Sequence, residues 1–190
     1  MKSTTKVIIG SVTLLSAVIA IELFMGRLIL GTDGTFGLIS LNTNSAENSQ
    51  RVFDLYSLSH VTHGLFFYGL LFFVARKVPV PYRFLIAIGF GACWEIFENT
   101  PMIINLYRGA TVSISYVGDS IVNSISDIFF VMVGFVVAAR LPVWTSVSLM
   151  VFLELLMLLL IRDDILLNIL MFIHSFPAIK AWQSAGGLLS

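Results

Sequence analysis

The sequence predicts an all-α fold: a polytopic bundle of transmembrane helices, about five spans plus a C-terminal re-entrant or interfacial helix. Three observations carry that expectation. Of the 190 residues, 57% are hydrophobic and only 12% charged, and the mean hydropathy is +0.94. A water-soluble domain of this size needs more charge to cover its surface, whereas in lipid the outside must be apolar and helices satisfy their own backbone. Five separate segments also have the length and apolarity of a crossing, for which about 20 residues are needed. With no internal repeat and no low-complexity tail, residues 1–190 read as a single integral membrane domain.

The first segment runs from Val7 to Leu30 behind Lys2 and Lys6. It begins like a signal peptide, but apolar residues continue past Glu22 and no small-residue cleavage site closes the run, so it reads as an anchor. The second spans Leu55 to Ala75, and the third Arg83 to Glu98, short and ending in acids. The fourth spans Ser120 to Ala139 and the fifth Val143 to Ile161. A sixth apolar run, Ile165 to Phe176, covers twelve residues before Pro177. That length suits a re-entrant or interfacial segment; it becomes a sixth span only if the helix continues through Pro177 to Trp182.

Basic residues orient the bundle. Lys2, Lys6, Arg76, Lys77, Arg83 and Arg140 fall on one side of the five-span arrangement, and Arg51, Arg108 and Arg162 on the other. The richer side is expected to be cytoplasmic. The N-terminus is then inside, and the loops Gly31–Asp54 and Asn99–Asp119 are outside. Eleven Lys plus Arg balance eleven Asp plus Glu, which gives no basic surface for a nucleic-acid partner. Membrane lipids are the expected partners, with other membrane proteins as a further class. The single Cys93 excludes an intrachain disulfide and a cysteine metal cage, and it reads as a small buried apolar residue.

Combined with orientation, the ionisable residues gather at one side. His60 and His63 open the second span, and Glu95 and Glu98 close the third. Asp119, Asn123 and Asp127 enter the fourth, while Glu154 lies in the outer half of the fifth, ahead of Arg162, Asp163 and Asp164. His60/His63 and Glu95/Glu98 are i,i+3 pairs that share a helix face, and the Asp119–Asn123–Asp127 stripe steps by four. At 1.5 Å per residue Asp127 lies ~12 Å below Asp119, where a carboxylate must face the bundle interior and be paired. The expected result is a polar funnel opening outward. Against it stands the plain reading of helix-end residues: Asp163 and Asp164 solvated, Asp119 an N-cap, and Asn123 interhelical glue. Glu22 and Arg27 read as structural, and His174, alone on an apolar run, as non-catalytic.

The funnel's donors suit a divalent cation, although there is no HExxH, EF-hand loop or paired Glu-x-x-His motif to name one. A His beside a Glu, both partly buried, is also the usual way to place a base that works near neutrality. No GxSxG nucleophile motif is present.

Several strings are long enough to carry a resemblance: NSQRVFDLYSLSHVTHG (48–64), WEIFENTPMIINLYR (94–108), YVGDSIVNSISD (116–127), RLPVW (140–144), IRDDILLNILM (161–171) and AIKAWQ (178–183). They resemble an uncharacterised bacterial membrane-protein family, a domain of unknown function, from Met25-Gly26-Arg27 onward. The resemblance implies a multi-pass protein of the bacterial inner membrane and implies no activity. Members of that family often have two cysteines after the Met-Gly-Arg; here the stretch GTDGTFGLISL has none. More distantly, the order of His, Glu and Asp–Asn–Asp across the spans is similar to the VanZ-like membrane proteins, which are linked to glycopeptide tolerance at the cell envelope.

Two function classes follow. The first is a hydrolase or transferase acting at the outer leaflet on a lipid or lipid-linked envelope substrate. His60 or His63 would be its base and Glu95 a partner or second acid/base. Glu98, Asp119, Asn123 and Asp127 would bind substrate or a cation, and Arg108 or Arg162 would face an anionic head group. The second is a non-catalytic envelope assembly protein, or a subunit of a larger membrane complex. An ion or solute carrier fits less well, because inverted repeats and paired broken helices are not evident.

Overall fold

The computed structural model describes residues 3–189, which form eight α-helices and no strand; Lys2 lies outside the described residues. Five helices are long and apolar enough to cross a membrane: α1 (Ser3–Phe24), α2 (Ser57–Val74), α3 (Val80–Glu98), α5 (Ile121–Ala138) and α6 (Val143–Ile161). Between and beyond them lie α4 (Pro101–Ala110), α7 (Ile165–Ile173) and α8 (Pro177–Ser184).

Most helix ends have a local chemical cause. Helix α1 stops at Phe24 instead of Leu30 because Gly26 takes φ +81°. The chain then reverses through an Arg27 N–H bond to the Glu22 carbonyl at 2.9 Å, a common C-terminal stop. Pro79 and Pro81 start α3 earlier than expected, at Val80. Helix α4 lies in a segment read as loop, where Thr100 accepts from the Ile103 N–H and Pro101 occupies the first turn. Asp164 caps α7 by accepting from the Leu167 N–H at 2.7 Å. The continuous helix through Pro177 that a sixth span requires does not form. The chain is extended from His174 to Phe176 and Pro177 opens α8. Nine residues of α7 reach only about 14 Å, far short of a bilayer core.

Helices α2 and α5 form the central pair, with α3 on one flank and α6 beside α2, while α1 packs against α3 and α5. The pair closes on glycine. A Cβ on Gly64 would sit 2.8 Å from Gly134 Cα, and one on Gly134 would sit 3.0 Å from Gly64 Cα. Small residues at such crossings let membrane helices approach to backbone contact. Apolar layers fill one half of the bundle: Val18, Ile88, Ala92 and Ile128 between α1, α3 and α5, and Leu71, Ala87 and Phe135 between α2, α3 and α5. Large apolar side chains of α1 and α6, such as Ile8, Val12, Phe152 and Leu159, face outward, as lipid contact requires.

The other half is polar, and residues 25–56 lie over it. Ser120, Ile121 and Val122, at the start of α5, donate their backbone N–H groups to the carbonyls of Ser49, Leu28 and Ile29. These are the N–H groups that a helix start leaves without partners. The loop is itself tied down by Arg51, which pairs with Asp33 at 2.9 Å and with Glu47 and donates to the Thr35 carbonyl at 2.9 Å.

Candidate functional site

The N-terminal ends of α2 and α5 and the C-terminal ends of α3 and α6 meet at one end of the bundle. They enclose a cavity of about 190 Å³ lined by Ser49, Tyr56, Ser59, His60, His63, Trp94, Glu98, Tyr107, Tyr116, Asp119, Asp127, Asp164 and Asn168, among others. No Lys or Arg is among the described residues that line it.

His60 stands at the centre. The residue is 6% exposed, and its ring lies between two buried carboxylates. Nδ1 is 3.4 Å from Glu95 Oε1, and Nε2 is 3.7 Å from Asp127 Oδ2. Neither contact is a hydrogen bond, and His60 Nδ1 and both Glu95 oxygens are buried without a hydrogen-bond partner. Asp127 is fixed from the other side by the Ser57 hydroxyl, which donates at 3.0 Å. Ser57 in turn exchanges hydrogen bonds with Asp54, its backbone N–H donating to Oδ1 at 3.1 Å and its hydroxyl accepting from the Asp54 N–H at 3.2 Å. His63 lies one turn on, edge-to-face with His60 at 5.5 Å between ring centroids and stacked on Phe67.

Asp119 forms the cavity's upper wall. Tyr116 donates to Oδ1 at 2.9 Å and Asn99 to Oδ2 at 2.8 Å; the Asp119 N–H donates back to Asn99 Oδ1 at 2.8 Å. Burial pushes its carboxyl up to about 6 against these hydrogen bonds. Burial likewise drives Asp54 upward, and holds Tyr56, Tyr107 and Tyr116 well above the usual phenol range. At neutral pH these phenols remain donors, as Tyr116 is to Asp119 and Tyr56 is to Asp163 at 3.0 Å.

The structure brings His60, His63, Glu95, Glu98, Asp119 and Asp127 into one neighbourhood. It does not bring Asn123, Arg108 or Arg162 there. Asn123 is buried, and its amide donates to the Arg51 carbonyl at 2.8 Å, so its side chain holds the overlying loop. Arg108 donates from Nε to the Tyr116 carbonyl at 2.5 Å. Arg162 takes φ +54° at the end of α6, donates to the Trp182 carbonyl at 2.8 Å and lies over the Trp182 ring. Asp163 and Asp164 are buried rather than solvated: Asp163 accepts from Tyr56, Asn168 and Gln183. Ser120, not Asp119, is the N-cap of α5. Cys93 is exposed, not buried.

Trp94, Asn99, Tyr107, Tyr116 and Asn168 belong to the site and were not singled out from the sequence. Asn99, four residues after Glu95 on the same face, was within reach of the spacing argument. The tyrosines come from α4 and an irregular segment, where no periodicity points at them.

On its lateral side the cavity adjoins an apolar groove of about 1040 Å³. His60, His63, Trp94, Asp164, Ile165 and Ile169 border both spaces. Phe66, Phe67, Leu70, Phe90, Cys93, Phe97, Val151 and Leu155 wall the groove between α2, α3 and α6.

The family model described as "Protein of unknown function (DUF2585)" matches residues 22–185. A UPF0314 protein of Brucella anthropi is 44% identical over 161 residues, which is 85% of this chain and 82% of that protein. A UPF0314 protein of Paracoccus denitrificans is 45% identical over 163 residues, covering 86% and 84%. Another, of Sphingopyxis alaskensis, is 41% identical over 173 residues, covering 91% and 92%. No solved structure matches the chain.

Proposed function

We propose an activity for this chain, which belongs to the family of proteins of unknown function DUF2585: hydrolysis or group transfer on a lipid or lipid-linked substrate at the outer face of the bacterial inner membrane. One observation carries the reading, the shared wall between a carboxylate- and histidine-lined chamber and an apolar groove about five times its volume (about 190 against about 1040 Å³). An amphipathic ligand fits that pair of spaces. Its head group enters the chamber while its hydrocarbon chain stays in the groove between α2, α3 and α6, where burying each CH₂ contributes about 0.8 kcal/mol.

On this reading His63, at the boundary of the two spaces, is the general base. It takes a proton from water or an accepting hydroxyl, whose oxygen attacks the head-group carbonyl or phosphoryl centre. Asp119, pushed up to about 6 by burial, carries a proton in part of the population near neutrality and passes it to the leaving oxygen. The bond to the leaving group breaks as the new bond forms, and no redox partner is required. His60, clamped between Glu95 and Asp127, holds the floor of the chamber. The basic residues of the opposite end, Arg76, Lys77, Arg83 and Arg140, favour an orientation with the N-terminus in the cytoplasm and the chamber outward.

The test is a lipid profile. The purified protein is reconstituted into nanodiscs made from a bacterial inner-membrane lipid extract, alongside His63→Ala. One lipid class should be consumed by the wild type with a matching product, and not by the variant, whose helix content and melting temperature stay close to wild type. An unchanged profile with well-folded wild-type protein overturns the catalytic reading.

A further inference from the structure

We infer that His60, Glu95 and Glu98 form a binding site for one divalent transition-metal ion, with Zn²⁺ the best match. Each of the three residues offers a ligand atom, and these atoms all lie within 4.8 Å of one another. Glu95 and Glu98 are on one face of α3, one turn apart, and His60 approaches from α2. The contact between His60 Nδ1 and Glu95 Oε1 is the informative one. At 3.4 Å it lacks hydrogen-bond geometry, and both atoms are otherwise without partners although buried. Yet about 3.4 Å is the spacing of two ligands on a tetrahedral ion with bonds of about 2.0–2.2 Å. Glu95 is 1% exposed and both its oxygens are unsatisfied. A buried carboxylate in that state is costly unless a proton or a cation completes it.

Two further features favour a cation. The chamber gathers Glu98, Asp119, Asp127 and Asp164 with no Lys or Arg among the described residues of its lining. In addition, His60 turns its second nitrogen toward Asp127, which the Ser57 hydroxyl anchors. Metal-binding histidines usually have a carboxylate behind the ring, fixing its tautomer and orientation. Asp127 would therefore be a positioning residue. One imidazole and two carboxylates balance a 2+ charge, and three protein ligands leave a position facing the chamber for water or a head-group oxygen. This ion would also explain how a phosphate-bearing head group could enter a chamber walled by carboxylates. The binding itself rests on the three ligands and not on the catalytic reading.

The metal alone is the probe. The full-length protein in detergent is stripped with chelator, titrated with Zn²⁺ by calorimetry, and assayed for bound metal by mass spectrometry. One Zn²⁺ per chain is expected, with a rise in melting temperature because only the folded site binds. Glu95→Gln should abolish stoichiometric uptake. Asp127→Asn should weaken it by roughly 10–100-fold, as loss of a supporting carboxylate does. The wild-type measurement guards against a variant that does not fold. If the stripped wild type takes up no Zn²⁺ and its melting temperature does not respond, the site does not exist. If Glu95→Gln binds Zn²⁺ as the wild type does, the assignment is likewise overturned. Lipid turnover is read separately, so an inactive protein that holds one Zn²⁺ would refute the function and leave the metal site standing.

Discussion

At the scale of residues, depth in the membrane was the informative quantity. His60, Glu95 and Asp127 stood out in the sequence because an ionisable group placed there needs company, and the structure supplies it within 4 Å of His60. Arg108, Arg162 and Asn123 could not be judged that way. They sit at helix ends or beside loops, where backbone carbonyls compete for their donors, and each has found one. Asp163 shows the same effect. As a helix-end acid it could have been solvated, but it is buried under Tyr56, Asn168 and Gln183, and burial pushes its carboxyl up to about 7 from 3.8. The folded protein thus holds this proton more tightly than the unfolded chain does. The stabilisation is complete below the unfolded value near 4 and is lost as pH rises through about 7. The melting temperature should therefore fall between pH 4 and pH 8, and Asp163→Asn, which keeps the shape and cannot titrate, should flatten that slope. A slope unchanged by the substitution would assign the pH dependence to other groups.

At the scale of elements, the spans were legible because apolar length is a strong signal, and their ends moved by a few residues wherever glycine or proline set the stop. Helix α4 was hidden for a physical reason: ten residues of mixed polarity carry no crossing signal, and only Thr100-Pro101 marks its start. The glycine contact between α2 and α5 was also invisible, since Gly64 and Gly134 become informative only once their helices are paired. Gly64→Leu would drive a side chain into the backbone of α5. Overpacking of this kind costs about 1–3 kcal/mol where neighbours can move, and a helix backbone has little freedom to do so. The expected outcome is a large drop in detergent-stable, monodisperse protein by size-exclusion fluorescence, whereas Gly69→Leu, at an open position on the same helix, should leave the yield near wild type.

For the whole molecule, the proposed orientation rests on charge placed far from the site. With Cys93→Ser as background, a single cysteine at Asn44 should react with a membrane-impermeant thiol reagent in intact spheroplasts, and one at Val78 should not. The reverse pattern would turn the chamber toward the cytoplasm and remove the outer leaflet as its source of substrate. The groove between α2, α3 and α6 has a kinetic consequence under the proposed function. A ligand that slides in sideways never leaves the bilayer, so the site meets it by two-dimensional diffusion. Occupancy would follow the ligand's mole fraction in the surface and not its concentration in the bulk. Diluting the bilayer with inert lipid at a fixed total amount of substrate would slow the protein, and adding water would not.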